Sequence, residues 1–135
     1  MSIAFLILIA AAVSPHVTST PTGQAIVSMC WEGHSHSQMS ECVYVQAVAA
    51  RSSLTNSERL LLESLAKQHR TTLVSLLHST TSSYQAYRTQ QCQLQGALAS
   101  SGNGAAEIQL ACEAALDIAR SEQLKAGLWW VAPGA

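Results

Sequence analysis

Four cysteines, Cys30, Cys42, Cys92 and Cys112, limit what this chain can fold into more than any other feature. None belongs to a Cys-x-x-Cys pair, so the spacing suits neither a zinc ribbon nor a thioredoxin-type redox site. What remains is a disulfide framework, which forms in an oxidising compartment. The start of the chain points to such a compartment. Ile3 to Val13 reads IAFLILIAAAV, an uninterrupted apolar run. It is shorter than the roughly 20 residues that a bilayer span needs, and it suits the apolar region of a secretory signal. No Lys or Arg precedes it, and an apolar helix packed on the core is the competing reading. A signal within residues 1–25 would end after Ser19, with Val17 at the −3 place, or after Ala25. Met29, just before Cys30, is too large for a lipoprotein signal, so Cys30 is read as disulfide-bonded rather than lipidated. The expected location is periplasmic or secreted, with no integral membrane span once the signal is removed.

A chain of 135 residues suits one domain. Nearly half the residues (48%) are hydrophobic and 11% are charged, with 7 Gly and 3 Pro. That mixture favours packed helices over a turn-rich sandwich. Pro15 to Ser37 is rich in Ser, Thr, Pro, Gly and His and reads as an extended lead-in, residues 26–37 of it following the signal. The helical domain then spans residues 38–126. Ser37 is a candidate N-cap for a first helix from Gln38 to Arg51. Ser52 and Ser53 interrupt it, and Thr55 with Glu58 fits a capping box that opens a second helix. That helix extends to Ala99, with STTSS, Ser79 to Ser83, as poor helix material at which it could bend. SSGNG, Ser100 to Gly104, is a loop. A third helix follows from Ala105 to Ala126, with Gly127 as its C-cap and residues 127–135 as a tail. Trp129 and Trp130 in that tail either cover the helix ends or stay exposed. The expected fold is all-α: a disulfide-stapled hairpin or bundle of three main helices.

The hairpin favours one cysteine pairing. Cys92 and Cys112 lie at equal distances on either side of Gly102, the centre of the loop. In an antiparallel hairpin such positions face each other, each roughly 10–15 Å from the turn at 1.5 Å rise per residue. Closely packed helices bring their Cα atoms into disulfide range. By elimination Cys30 bonds Cys42 and pins the lead-in to the first helix.

Seven Lys and Arg against eight Asp and Glu leave a net charge of −1. No basic field is available to hold phosphate backbones, which argues against nucleic-acid binding. Cysteine nucleophiles would be spent in disulfides. No G-x-S-x-G nucleophile motif and no recognisable carboxylate pair stands in their place, so the chain is not expected to be an enzyme. His34 and His36 in HSH supply two metal donors, with His69 and His78 on another element, and two donors do not make a site. No cofactor or metal is expected.

Three stretches around the cysteines resemble the LprI-like lysozyme-inhibitor domains of bacterial exported proteins. QMSEC, Gln38 to Cys42, is similar to the family's opening segment, though compressed. YQAYRTQQC, Tyr84 to Cys92, resembles its aromatic-x-x-Tyr-Arg-x-x-x-Cys segment, with Tyr84 where the family usually has Trp and Thr89 where it often has Asp. GNG and then CEAALDIARSEQL, Cys112 to Leu124, resemble the closing turn, cysteine and Arg120. Cys30 matches the first family cysteine, so the resemblance runs from Cys30 to Leu124. It implies a small helical fold, structural roles for Tyr84, Tyr87, Arg88 and Arg120, and a protein partner, either a lysozyme or another secreted hydrolase.

The residues themselves give the same four a structural reading. Tyr84 and Tyr87 would pack between helices, and Arg88 would pair with an acid such as Asp117. Asp117 and Arg120 share one helix and read as a surface ion pair of little weight. For a partner, the best contact is WEGHSH, with Trp31, His34 and His36, which is polar, aromatic and tethered by Cys30; a solvated lead-in is the competing reading. Common lysozymes are basic, and the balanced charge of this chain shows no acidic face to steer one. Two functions follow: an inhibitory or binding module for a secreted hydrolase, or a structural or assembly domain of the cell envelope.

Overall fold

A computed structural model describes residues 20–99 and 104–131. Four helices are present among them and no strand: α1 (Gly23–Trp31), α2 (His36–Lys67), α3 (Thr71–Leu98) and α4 (Ala105–Val131). The all-α expectation holds. The apolar run Ile3–Val13, Ser19, most of the SSGNG loop and residues 132–135 lie outside the described residues.

Cys92 is bonded to Cys112 and Cys30 to Cys42, each pair with its Cα atoms 5.5 Å apart. The α3–α4 bond thus lies at the level expected from the hairpin, with its cysteines equally far from Gly102. The loops that the bonds close, 12 and 20 residues long in sequence separation, give about 3 kcal/mol each on the chain-entropy model. Gly96 fits the close approach of α3 and α4 beside the second bond. A Cβ there would lie 3.1 Å from the carbonyl oxygen of Ala105.

The long helices run up, down and up. Ser40 on α2 meets Glu107 on α4, Ser57 meets Ser121, and the Gln68 side chain donates to the carbonyl of Val131, so α2 and α4 are parallel. α3 runs against both, as Cys92–Cys112 and the Arg120–Thr80 bond show. α2 and α4 each touch all three other helices, and the pair packs most extensively against one another.

Several sequence expectations are corrected. The extended lead-in at residues 26–37 is helical as far as Trp31. Thr22 caps α1 by accepting from the Ala25 N–H, and Ile26 and Cys30 are buried. Burial and the disulfide outweigh the weak local propensity. Gly23 permits this docking, because a Cβ there would sit 3.0 Å from backbone atoms of Cys112.

The expected break at Ser52 to Thr55 is absent. Thr55 and Ser57 satisfy their hydroxyls on the carbonyls of Arg51 and Ser53 within the helix, and burial of Leu54 and Ser57 against the bundle carries α2 through this weak stretch. Its capping box is Ser35 with Gln38 rather than a box at Thr55. STTSS also stays helical within α3. At the far end α4 runs past Gly127 to Val131, because Leu128 and Val131 still face the core.

The true break falls at Gln68 to Arg70. The Arg70 N–H donates to Leu65 O and the His69 N–H to Ala66 O, both at 3.0 Å. This is a Schellman end with His69, at φ 55°, in the left-handed place that Gly usually takes. A non-glycine residue there costs roughly 1–2 kcal/mol, part of which glycine's looser unfolded chain takes back. His69→Gly should therefore raise stability to urea by about 0.5–1 kcal/mol. A lower urea midpoint for the variant would contradict this account of the turn.

Candidate functional site

Two apolar clusters build the core. Ile26, Met39, Val43, Ala47, Ala111 and Ala114 form one around Cys30, at the disulfide end. Leu54, Leu65, Leu77, Leu124 and Val131 form the other, at the far end. Polar side chains from α2, α3 and α4 lie between them. Ser121 shares hydrogen bonds with Ser53 and Ser57, at 3.1 and 2.8 Å.

Asp117 is the centre of this layer and is 0% exposed. The Tyr84 hydroxyl donates to its Oδ1 at 2.6 Å, and Arg88 Nη2 donates to Oδ2 at 3.0 Å. Arg88 Nε lies 2.8 Å from Oδ1, a charge contact rather than an aligned hydrogen bond. Arg51 Nη1 approaches at 3.5 Å, and Arg88 also reaches Glu113 at 3.0 Å. The expected Arg88–Asp117 pair is present. The expected surface pair of Asp117 with Arg120 is not. Arg120 donates instead to Thr80 Oγ1 at 3.1 Å and lies 5.7 Å from the centre of the Tyr84 ring. Asp117 faces inward, where the largely buried Arg88 and the more exposed Arg51 offset its charge. Burial first, and the hydrogen bond to Asp117 second, push the Tyr84 hydroxyl far above its usual range. With both carboxylate oxygens engaged and the phenol held protonated, Asp117 ties α4 to α3 through Tyr84 and Arg88 and to α2 through Arg51.

Tyr87 departs from its expected packing role and is half-exposed. It lines a hollow of about 270 Å³ between the start of α1, α3 and α4, with Thr20, Pro21, Gln91 and Leu116. Its other lining residues carry no acidic or basic side chain.

The WEGHSH segment joins α1 to α2 at the disulfide end. Gly33, at φ 72°, turns the chain, and the His34 N–H donates to Trp31 O at 3.2 Å. The rings of Trp31 and His36 meet edge-on at 6.2 Å. The Cys30–Cys42 bond and the Ser35–Gln38 capping box hold the two ends of the loop. Trp31 stays 52% exposed, and His34 and His36 are exposed as well. The loop therefore projects from a fixed base.

The near-zero net charge hides a segregation along the bundle. All seven Lys and Arg lie within residues 51–88 and 117–131. The disulfide end carries Glu32, Glu41 and Glu107 with no Lys or Arg on the segments that form it. Ser40 donates to Glu107 at 2.6 Å, and this bond is the largest cause holding that carboxyl below its usual range; the charge of His36 acts in the same direction. The reading of a balanced surface is thus corrected: the end that bears the loop is acidic. Sequence order alone hides this, because Glu107 reaches that end only through the parallel packing of α2 and α4.

Among the described residues no cluster of three or more His, Cys, Asp or Glu is arranged to hold a metal, and no helix is long and apolar enough to cross a membrane. No family model, curated protein or solved structure matches the chain.

Tyr84→Phe should lower stability at neutral pH by about 1.5–3 kcal/mol, the scale of a hydrogen bond to a charged group. Above pH ~10 an unfolded tyrosine loses its proton while folded Tyr84 keeps it. Wild-type stability then falls as pH rises, and the fall should be shallower in Tyr84→Phe. Urea titrations at pH 7 and pH 11 measure both effects; equal alkaline losses would rule out the buried Tyr84–Asp117 bond.

Proposed function

We propose that the chain is an exported protein-binding domain of the lysozyme-inhibitor-like kind, which engages a secreted hydrolase through the loop from Trp31 to His36. One observation carries this reading: a pre-clamped aromatic loop stands on an end that has Glu32, Glu41 and Glu107 and no Lys or Arg. Such a loop loses little conformational freedom on entering a cleft. An acidic setting attracts a basic enzyme and raises the rate of encounter. Common lysozymes are basic, and the resemblance around the cysteines supports the same partner class. Export is supported by the apolar run Ile3–Val13 and by two disulfides. Of the two cleavage points, Ser19 fits better, because a cut after Ala25 would remove the Thr22 cap and sever α1.

A second reading, an assembly domain of the cell envelope, is favoured by Tyr44, Val45 and Val48, which lie exposed along α2.

Activity assays of several lysozymes with the oxidised protein separate the two. The expected result is inhibition at micromolar protein or below, weakening as salt is raised. Trp31→Ala with His34→Ala should weaken it by about 30-fold or more, as loss of an aromatic hot spot does. No inhibition of any lysozyme type at micromolar excess would leave the assembly reading in its place.

A further inference from the structure

The end of the bundle opposite the loop has a different surface chemistry. The Gln68 bond to Val131 O brings the α2–α3 turn beside the last turn of α4. Trp129 and Trp130 project there, 78% and 85% exposed. Lys67 and Arg70 flank Gln68, are exposed, and make no ion pair among the described residues. The nearest acids on the same helices are already matched: Glu63 pairs with Arg59 and Glu122 with Lys125. An open, leucine-lined hollow of about 260 Å³ adjoins them, running from Leu65 and Leu73 to Val131, and Leu76 at its edge is more than half exposed.

Two neighbouring tryptophans on solvent, with two unpaired cations on the adjoining α2–α3 turn and a leucine-lined hollow at the same end, match the chemistry of a lipid–water interface. Indole rings concentrate at the headgroup level of bilayers, and each Lys or Arg near an anionic leaflet adds about fivefold to binding. A basic protein surface would be repelled by the same cations, and a second copy of this chain would bring like charges together. We propose that this end docks reversibly on a membrane surface rich in anionic lipid, with Trp129 and Trp130 inserted at headgroup depth and Lys67 and Arg70 on the lipid charges. α2 is 32 residues long, so the loop at its other end would stand roughly 45–50 Å off the bilayer at 1.5 Å rise per residue. The docking surface does not depend on what the loop binds.

The test uses the full chain carrying Trp31→Phe, so that only Trp129 and Trp130 fluoresce. Their emission is followed on adding phosphatidylcholine vesicles with and without phosphatidylglycerol, and then with brominated acyl chains as quenchers. This readout is local, so any lipid affinity of the apolar run Ile3–Val13 does not register in it. With phosphatidylglycerol, emission should shift to the blue and be quenched; with phosphatidylcholine alone, binding should be at least tenfold weaker. Lys67→Gln with Arg70→Gln should remove most of that preference, a loss of about 20- to 30-fold at two cations. Trp129→Ser alone and Trp130→Ser alone, each of which leaves one indole at the surface as reporter, should each weaken the anionic-vesicle response several-fold. The proposal is overturned by emission that does not respond to anionic vesicles. It is also overturned by binding that ignores the lysine and arginine changes, or by a blue shift that grows with protein concentration without lipid, which would assign the face to self-association.

Discussion

Asp117 is the constraint on which the arrangement of the long helices depends. A carboxylate removed from water is tolerated only where donors and cations meet it. Here they come from two other helices: Arg51 on α2, and Tyr84 and Arg88 on α3. Sliding α3 by one turn against α4 would carry both Tyr84 and Arg88 away and leave the charge stranded. The leucines and alanines on either side would accept several registers at little cost; the polar layer accepts one. In some proteins buried ionic groups select among alternative packings more than they add net stability, and this position between two apolar clusters is suited to that role.

The disulfides act on a different part of the molecule. Both lie at the alanine-containing end of the core. The Cys30–Cys42 bond there fixes a short helix, α1, that is too brief to persist alone. The same bond gives the Trp31–His36 loop its stiff base. Stability and presentation of the candidate contact therefore share one device.

The division of charge along the bundle follows from topology. α2 and α4 are parallel, so Glu41 in the second turn of α2 and Glu107 in the first turn of α4 gather at one end, and the cation-bearing α2–α3 turn meets the last turn of α4 at the other. A small domain built in this way offers two chemically distinct ends, an acidic one with a clamped loop and a basic, tryptophan-rich one, while its net charge stays near zero.

Much of this was legible in the residues, and the limits of legibility have physical causes. The all-α class followed from composition and the scarcity of helix breakers. The Cys92–Cys112 bond followed from helix rise and a centred loop, because level within a hairpin is a local property of chain length. The α2–α3 turn was not legible, because His69 fills a place where Gly would have announced the helix end. α1 was hidden by Ser, Thr and Gly that tertiary burial and a cap override. On α4, Leu110, Ala114, Asp117, Ser121, Leu124, Leu128 and Val131 repeat at helical spacing, yet the two polar members disguise the stripe and made Asp117 look like a surface acid. The sequence by itself determined which segments are helical in the main and which cysteines meet, since both depend on neighbours along the chain. Only the tertiary structure decided which face of α4 turns inward, what neutralises Asp117 and which charges gather at each end. Those outcomes depend on the rotation and direction of helices whose contacts lie more than 60 residues apart.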